Sequence, residues 1–141
     1  GHYNLTNVIV TMESCKPNNN VALCLNGHSI AANGDFVVIE IDKGQFTLCD
    51  CNSSESMHYF TTSKEDLFTR WVPCEENTEN RISVTGGVIT HSVGRSDLGV
   101  KVDNNATFTM YGGTICGNKL QGSYNGAGVY VHKSTFNMYG G

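Results

Sequence analysis

The residues able to do chemistry in this chain of 141 residues are six cysteines, five histidines and thirteen acidic side chains. Cys15, Cys24, Cys49, Cys51, Cys74 and Cys116 could form bridges, hold a metal ion or stay buried as small hydrophobes. The bridge we favour joins Cys74 to Cys51 or Cys49, closing the unmatched segment 52–81 at its base. A loop of that size would stabilise the fold by about 3 kcal/mol in the chain-entropy model. Free thiols remain the equal alternative. Cys49-Asp50-Cys51 lacks the Cys-x-x-Cys spacing of zinc sites, and neighbouring strand positions face opposite ways, so no metal is assigned. No cofactor is implied either.

Glycoside hydrolysis needs two carboxylates across the bond that breaks, about 5–5.5 Å apart for retention and about 6.5–9.5 Å for inversion. The acids are thinly spread: Asp35, Glu40, Asp42 and Asp50, then Glu65, Asp66, Glu75, Glu76 and Glu79 in 52–81, then Asp97 and Asp103. No Asp-Asp or Asp-x-Asp pair lies on a strand pattern. His91 and His132 show no base or orienting group, and a nucleophilic site needs both. No catalytic residue is assigned.

What must position these groups is a repeat. Phe108-Thr-Met-Tyr-Gly-Gly113 returns as Phe136-Asn-Met-Tyr-Gly-Gly141, 136 − 108 = 28 positions later. Within each unit apolar and polar residues alternate, so Phe108 and Met110 point one way while Thr109 and Tyr111 point the other. Gly112-Gly113 and Asp103-Asn104-Asn105 are corner chemistry. Short strands that cannot bury an apolar face alone must stack on a neighbouring unit, and the fold expected is all-β, a parallel β-helix of about five coils. Phe46-Thr-Leu-Cys49 and Ile82-Ser-Val-Thr85 fit the same template. Leu23, Leu48, Val84, Met110 and Met138 then form an inward column, and Cys24, Cys49, Thr85, Tyr111 and Tyr139 an outward one. Val88-Ile89 should lie beside Thr114-Ile115. Residues 1–20 read as a leading segment whose apolar run Val8-Ile-Val-Thr-Met12 covers the open end.

Tyr111 and Tyr139 fall one coil apart, with Tyr130 on the neighbouring strand. Exposed rings in line give flat faces for sugar C–H groups, and they also make a ladder that steadies adjacent coils. Thr47, Ser83, Thr109 and Asn137 read as a solvated polar ladder. The segment 52–81 breaks the period and should project as a loop or small hairpin. Its aromatics Phe60, Phe68 and Trp71 either fold it onto the wall or line a groove for a ligand.

A net charge of −4 argues against nucleic acid, whose binders carry basic stripes. No stretch approaches the roughly 20 apolar residues of a membrane span. The chain stops inside a repeat at Gly140-Gly141, so a longer protein is expected, and an uncapped coil leaves an edge for self-association.

Leu23-Cys-Leu-Asn-Gly-His-Ser-Ile30, Leu48-Cys-Asp-Cys51, Ile82-Ser-Val-Thr-Gly-Gly-Val-Ile-Thr-His91 and the two Gly-Val-x-Val plus Phe-x-Met-Tyr-Gly-Gly units resemble the right-handed β-helix repeat proteins of gut Firmicutes surfaces. The resemblance covers most of the chain outside 52–81. It implies a right-handed coil, an extracellular location, and a structural or adhesive role with a polysaccharide or host glycan as partner. It also implies that His28 is a recurrent corner residue. The wider pectate-lyase-like superfamily contains lyases and glycosidases, so a polysaccharide lyase or glycoside hydrolase is the competing expectation. Lyases of this fold pair carboxylate-held Ca²⁺ with a basic residue, and no carboxylate cluster is expected beside Arg70, Arg81 or Arg95.

Overall fold

The computed structural model describes residues 1–65, 68–120 and 127–141, with the side chains of Glu65 and Phe68 outside the description. The chain is all-β, and among the described residues no helix is long and apolar enough to cross a membrane. Strands β1 (His2–Asn4) and β2 (Ile9–Thr11) open the chain, followed by β3 (Val21–Cys24), β4 (Ser29–Ala32), β5 (Ile39–Ile41) and β6 (Gln45–Cys49). Then come β7 (Met57–Glu65), β8 (Phe68–Cys74) and β9 (Ile82–Thr85). The chain resumes with β10 (Val88–His91), β11 (Val100–Val102), β12 (Thr107–Met110), β13 (Thr114–Ile115), β14 (Val129–Val131) and β15 (Thr135–Met138).

Three sheets are parallel throughout: β1-β3-β6-β12-β15, β13-β10-β4-β2 and β14-β11-β5. The chain visits them in turn, returning to the first sheet one strand further on. The 28-residue repeat is this return, because Phe108 lies opposite Phe136 and Met110 opposite Met138. Val88 and Ile89 pair with Thr114 and Ile115, as the repeat predicts. Alternation sends Phe46, Leu48, Phe108 and Met110 into a common core with Ile41 and Ile89. The rings of Phe46, Phe108 and Phe136 follow one another at 5.9 and 4.9 Å.

One expectation needs correction. Ile82-Ser-Val-Thr85 does not enter the first sheet, where β12 pairs directly with β6, Met110 opposite Leu48. Strand β9 instead pairs antiparallel with β7, Val84 opposite His58, so Val84, Thr85 and Ser83 leave their proposed columns. The connection from β8 to β9 is short, and pairing with the nearby β7 closes a smaller loop than insertion between β6 and β12. The leading segment supplies the end strands of two sheets, β1 in the first and β2, from the apolar run, in the second. It makes a circuit of its own, with Tyr3 opposite Leu23 and Ile9 opposite Ile30. Five strands do lie side by side in the first sheet, but β1 supplies the one that β9 does not.

Segment 52–81 is a hairpin, β7 antiparallel to β8. It lies against the outer side of β10, with Phe60 and Val72 buried, and a methyl group on Gly117 would touch the Phe60 ring. His58 Nε2 bonds the Gly27 carbonyl at 2.9 Å and Arg70 Nη1 donates to the Arg95 carbonyl at 2.7 Å, so both hairpin strands are anchored. This cover explains why all four residues of β10 are buried. Asp66 and Leu67 lie outside the described residues.

Candidate functional site

The parallel register of the first sheet decides what its outward column contains. Cys24 lies opposite Cys49. One position past the paired Leu48 and Met110, the Tyr111 amide donates to the Leu48 carbonyl at 2.8 Å. The Tyr139 amide donates likewise to the Met110 carbonyl at 2.8 Å. The column therefore runs Cys24, Cys49, Tyr111, Tyr139 without Thr85. Tyr111 and Tyr139 stack with centroids 5.2 Å apart and planes 17° apart, and they are 58% and 70% exposed. A cleft of about 290 Å³ opens beside them, lined by Asp50, Ser53, Thr85, Tyr111 and the Gly112-Gly113 corner among others.

Asp50 is a corner residue rather than a free acid in that cleft. Its Oδ1 accepts from the Gly27 amide at 2.7 Å and its Oδ2 from the Gly87 amide at 2.6 Å, tying three segments together. Gly27 has φ +77° and sits where a side chain would strike Ser56, so its conformation and its space both require glycine.

The other proposed ligand-binding aromatics are elsewhere. Tyr130 is on β14 in a different sheet, opposite Lys101, with its ring 6.5 Å from His132. Trp71 is on β8, opposite Thr62 and 40% exposed, while its neighbours Arg70 and Val72 face inward. The structure brings together Tyr111 and Tyr139 and separates both from Trp71 and Tyr130.

The disulfide differs from the one favoured on sequence. Cys51 is bonded to Cys24, with Cα atoms 6.3 Å apart, and Cys74 is a free thiol at the end of β8. The physical reason is the stack: 51 − 24 = 27, close to one repeat, and parallel strands bring residues one repeat apart side by side. That spacing was the signal available in the sequence. Cys49 and Cys51 are two apart and fall on one side, not opposite sides, so the sulphurs of Cys24, Cys49 and Cys51 all lie within 4.8 Å of one another. The Cys49 thiol donates to the Leu23 carbonyl at 3.6 Å, and burial, then nearby Asp50, raise its pKa. Burial pushes the Cys116 thiol up to about 11.

A second group went unseen in the sequence. On the sheet containing β5 and β11, Glu40 lies opposite Lys101, whose Nζ is 3.3 Å from Glu40 Oε1 and 4.0 Å from Asp103 Oδ2. Lys16 reaches Glu40 Oε2 at 2.9 Å and His132 Nδ1 lies 2.9 Å from Asp103 Oδ1. Hydrogen bonding to Lys16 holds the Glu40 carboxyl below its usual range; burial opposes this and Lys101 adds to it. A carboxylate depressed on folding stabilises the fold above its ordinary value of 4.5 and loses that contribution as pH falls through the lower folded value. Glu40→Gln should therefore flatten the fall in melting temperature between about pH 6 and about pH 3. An unchanged acid slope would show that the pair is too solvent-screened to matter.

His91 has the partners its sequence context hid. Fully buried, it bonds the Phe36 carbonyl through Nε2 and Asn118 Oδ1 through Nδ1, both at 2.8 Å. His28 is half-buried at a corner, its amide donating to Leu25 and its carbonyl accepting from Val88. Compared with protein-family models, curated proteins and solved structures, the chain matches none of them.

Proposed function

We propose that the three parallel sheets are the faces of a right-handed parallel β-helix, a segment of an extracellular bacterial surface protein. Its role is structural presentation and adhesion, with glycans contacted through Tyr111 and Tyr139. The cyclic return of the chain through the sheets supports the coil, and the general right-handedness of parallel crossovers supports its sense. The observation that carries the glycan contact is the exposed, stacked tyrosine pair, its ring planes nearly parallel, beside a cleft bearing the hydroxyl residues Ser53, Thr85 and Thr114. Ring faces take the C–H faces of a sugar, and hydroxyl groups at the rim meet its polar edge.

The test passes purified protein over immobilised plant and host polysaccharides and assays the same samples for unsaturated or reducing ends. Retention without product is expected. Tyr111→Ala should weaken it by five- to tenfold, the equivalent of about 1 kcal/mol, while Trp71→Ala leaves it unchanged. Retention that survives Tyr111→Ala would remove the tyrosine pair from the binding surface.

A polysaccharide lyase or glycoside hydrolase is the competing reading, and one observation favours it. Glu40 and Asp103 bracket Lys101 on one sheet face, with His132 beside Asp103. Both Glu40 oxygens are held by lysines, which commits that carboxylate to ion pairing and places adhesion ahead. Product release abolished by chelator would reverse the order.

A further inference from the structure

Two of the three clustered sulphurs suffice for a bridge, and the third is unexplained by it. Cys24 and Cys49 are neighbours across paired strands, and the corner at Asp50 carries Cys51 back over them. The Asp50 carboxylate is turned to the Gly27 and Gly87 amides, away from any ligand role. The Cys51 amide donates to Cys24 Sγ at 3.0 Å, the kind of N–H···S bond that steadies a thiolate ligand. Burial is graded, from buried Cys24 through half-buried Cys49 to exposed Cys51, so one side of the cluster opens to solvent.

We propose that Cys24, Cys49 and Cys51 form a redox-gated site for a thiophilic divalent d¹⁰ ion of the zinc class. While Cys24–Cys51 is oxidised the site is closed. A dithiol reductant opens it: two electrons and two protons pass to the bridge, giving two cysteine thiols and the disulfide of the reductant. The ion then displaces three protons as three metal–sulphur bonds form, leaving a net charge of −1. Bonds of about 2.3 Å at tetrahedral angles set sulphurs about 3.8 Å apart, which side-chain rotation reaches from a cluster spanning 4.8 Å. Water from the Cys51 side takes the fourth position. A divalent ion is favoured over a monovalent one because the Asp50 carboxylate nearby disfavours further negative charge.

The experiment titrates Cd(II) into the full chain, reduced by a dithiol that is then removed under argon, and follows the ultraviolet thiolate-to-metal band. One equivalent should bind with three thiolates. Cys49→Ser, which spares the bridge, should weaken binding by at least the ~10–100-fold known for loss of a mere outer-shell partner. Cys51→Ser at the exposed corner should do the same, giving a second reading should one variant fold poorly. A variant with Cys15, Cys74 and Cys116 all changed to Ser should bind like the parent. Oxidised protein should give no band. A band kept by both Cys49→Ser and Cys51→Ser, or absent from reduced parent, overturns the site, and an equal band in oxidised protein overturns the gating.

Discussion

Phe108→Ala is expected to lower the unfolding free energy by about 3–5 kcal/mol, the range for removing a fully buried ring. Phe108 is wholly inaccessible and stands between two other rings, Phe46 at 5.9 Å and Phe136 at 4.9 Å. The Phe136 ring is stacked on it within 10°, so truncation leaves a cavity bounded by flat faces that cannot close without moving a strand. Against a typical stability of about 5–15 kcal/mol this is a large share. Urea unfolding should show a lower midpoint with an unchanged slope. Phe136→Ala should cost less, because its ring is only half-buried on the end strand. Equal costs at the two positions would mean that ring stacking, not burial depth, sets the energy of the ladder.

The second large effect is expected at His91. Its ring joins β10 to the Phe36 carbonyl ahead of β5 and to Asn118 after β13, and Asn118 Nδ2 in turn donates to the Ile89 carbonyl at 3.3 Å. His91→Leu keeps the apolar bulk but leaves the Phe36 carbonyl and the Asn118 side chain buried without this partner. An unsatisfied buried polar group costs about 1–3 kcal/mol, so about 2–6 kcal/mol is expected for the pair. His91→Gln retains an amide donor and should recover part of the loss, which a purely volumetric role would not allow. Thermal and urea unfolding of the two variants side by side decide this. If Leu is tolerated as well as Gln, the histidine acts as filling and its hydrogen bonds contribute little.

How far the sequence carries depends on whether a feature is local. Strand positions and corners were legible because alternation and Asn-Gly or Gly-Gly pairs act within a few residues. The tyrosine column was legible for the same reason, since Tyr111 and Tyr139 occupy the same place in two copies of one unit. The hairpin was legible as a break in the period. Its anchoring was not, because His58 and Arg70 bond carbonyls 31 and 25 residues away. The ion-paired group around Glu40 was hidden in the same way, as Lys101 stands 61 residues from it.

By itself the sequence determined an all-β chain built on a 28-residue return, with Phe108 over Phe136 and Val88-Ile89 beside Thr114-Ile115. Only the tertiary structure decided which edges meet: β9 with β7, Cys51 with Cys24, and His91 with Phe36 and Asn118. The reason is that every hydrogen bond of a parallel strand goes to chain one circuit away. An inserted hairpin offering a nearer edge can capture a strand whose own pattern fits either partner.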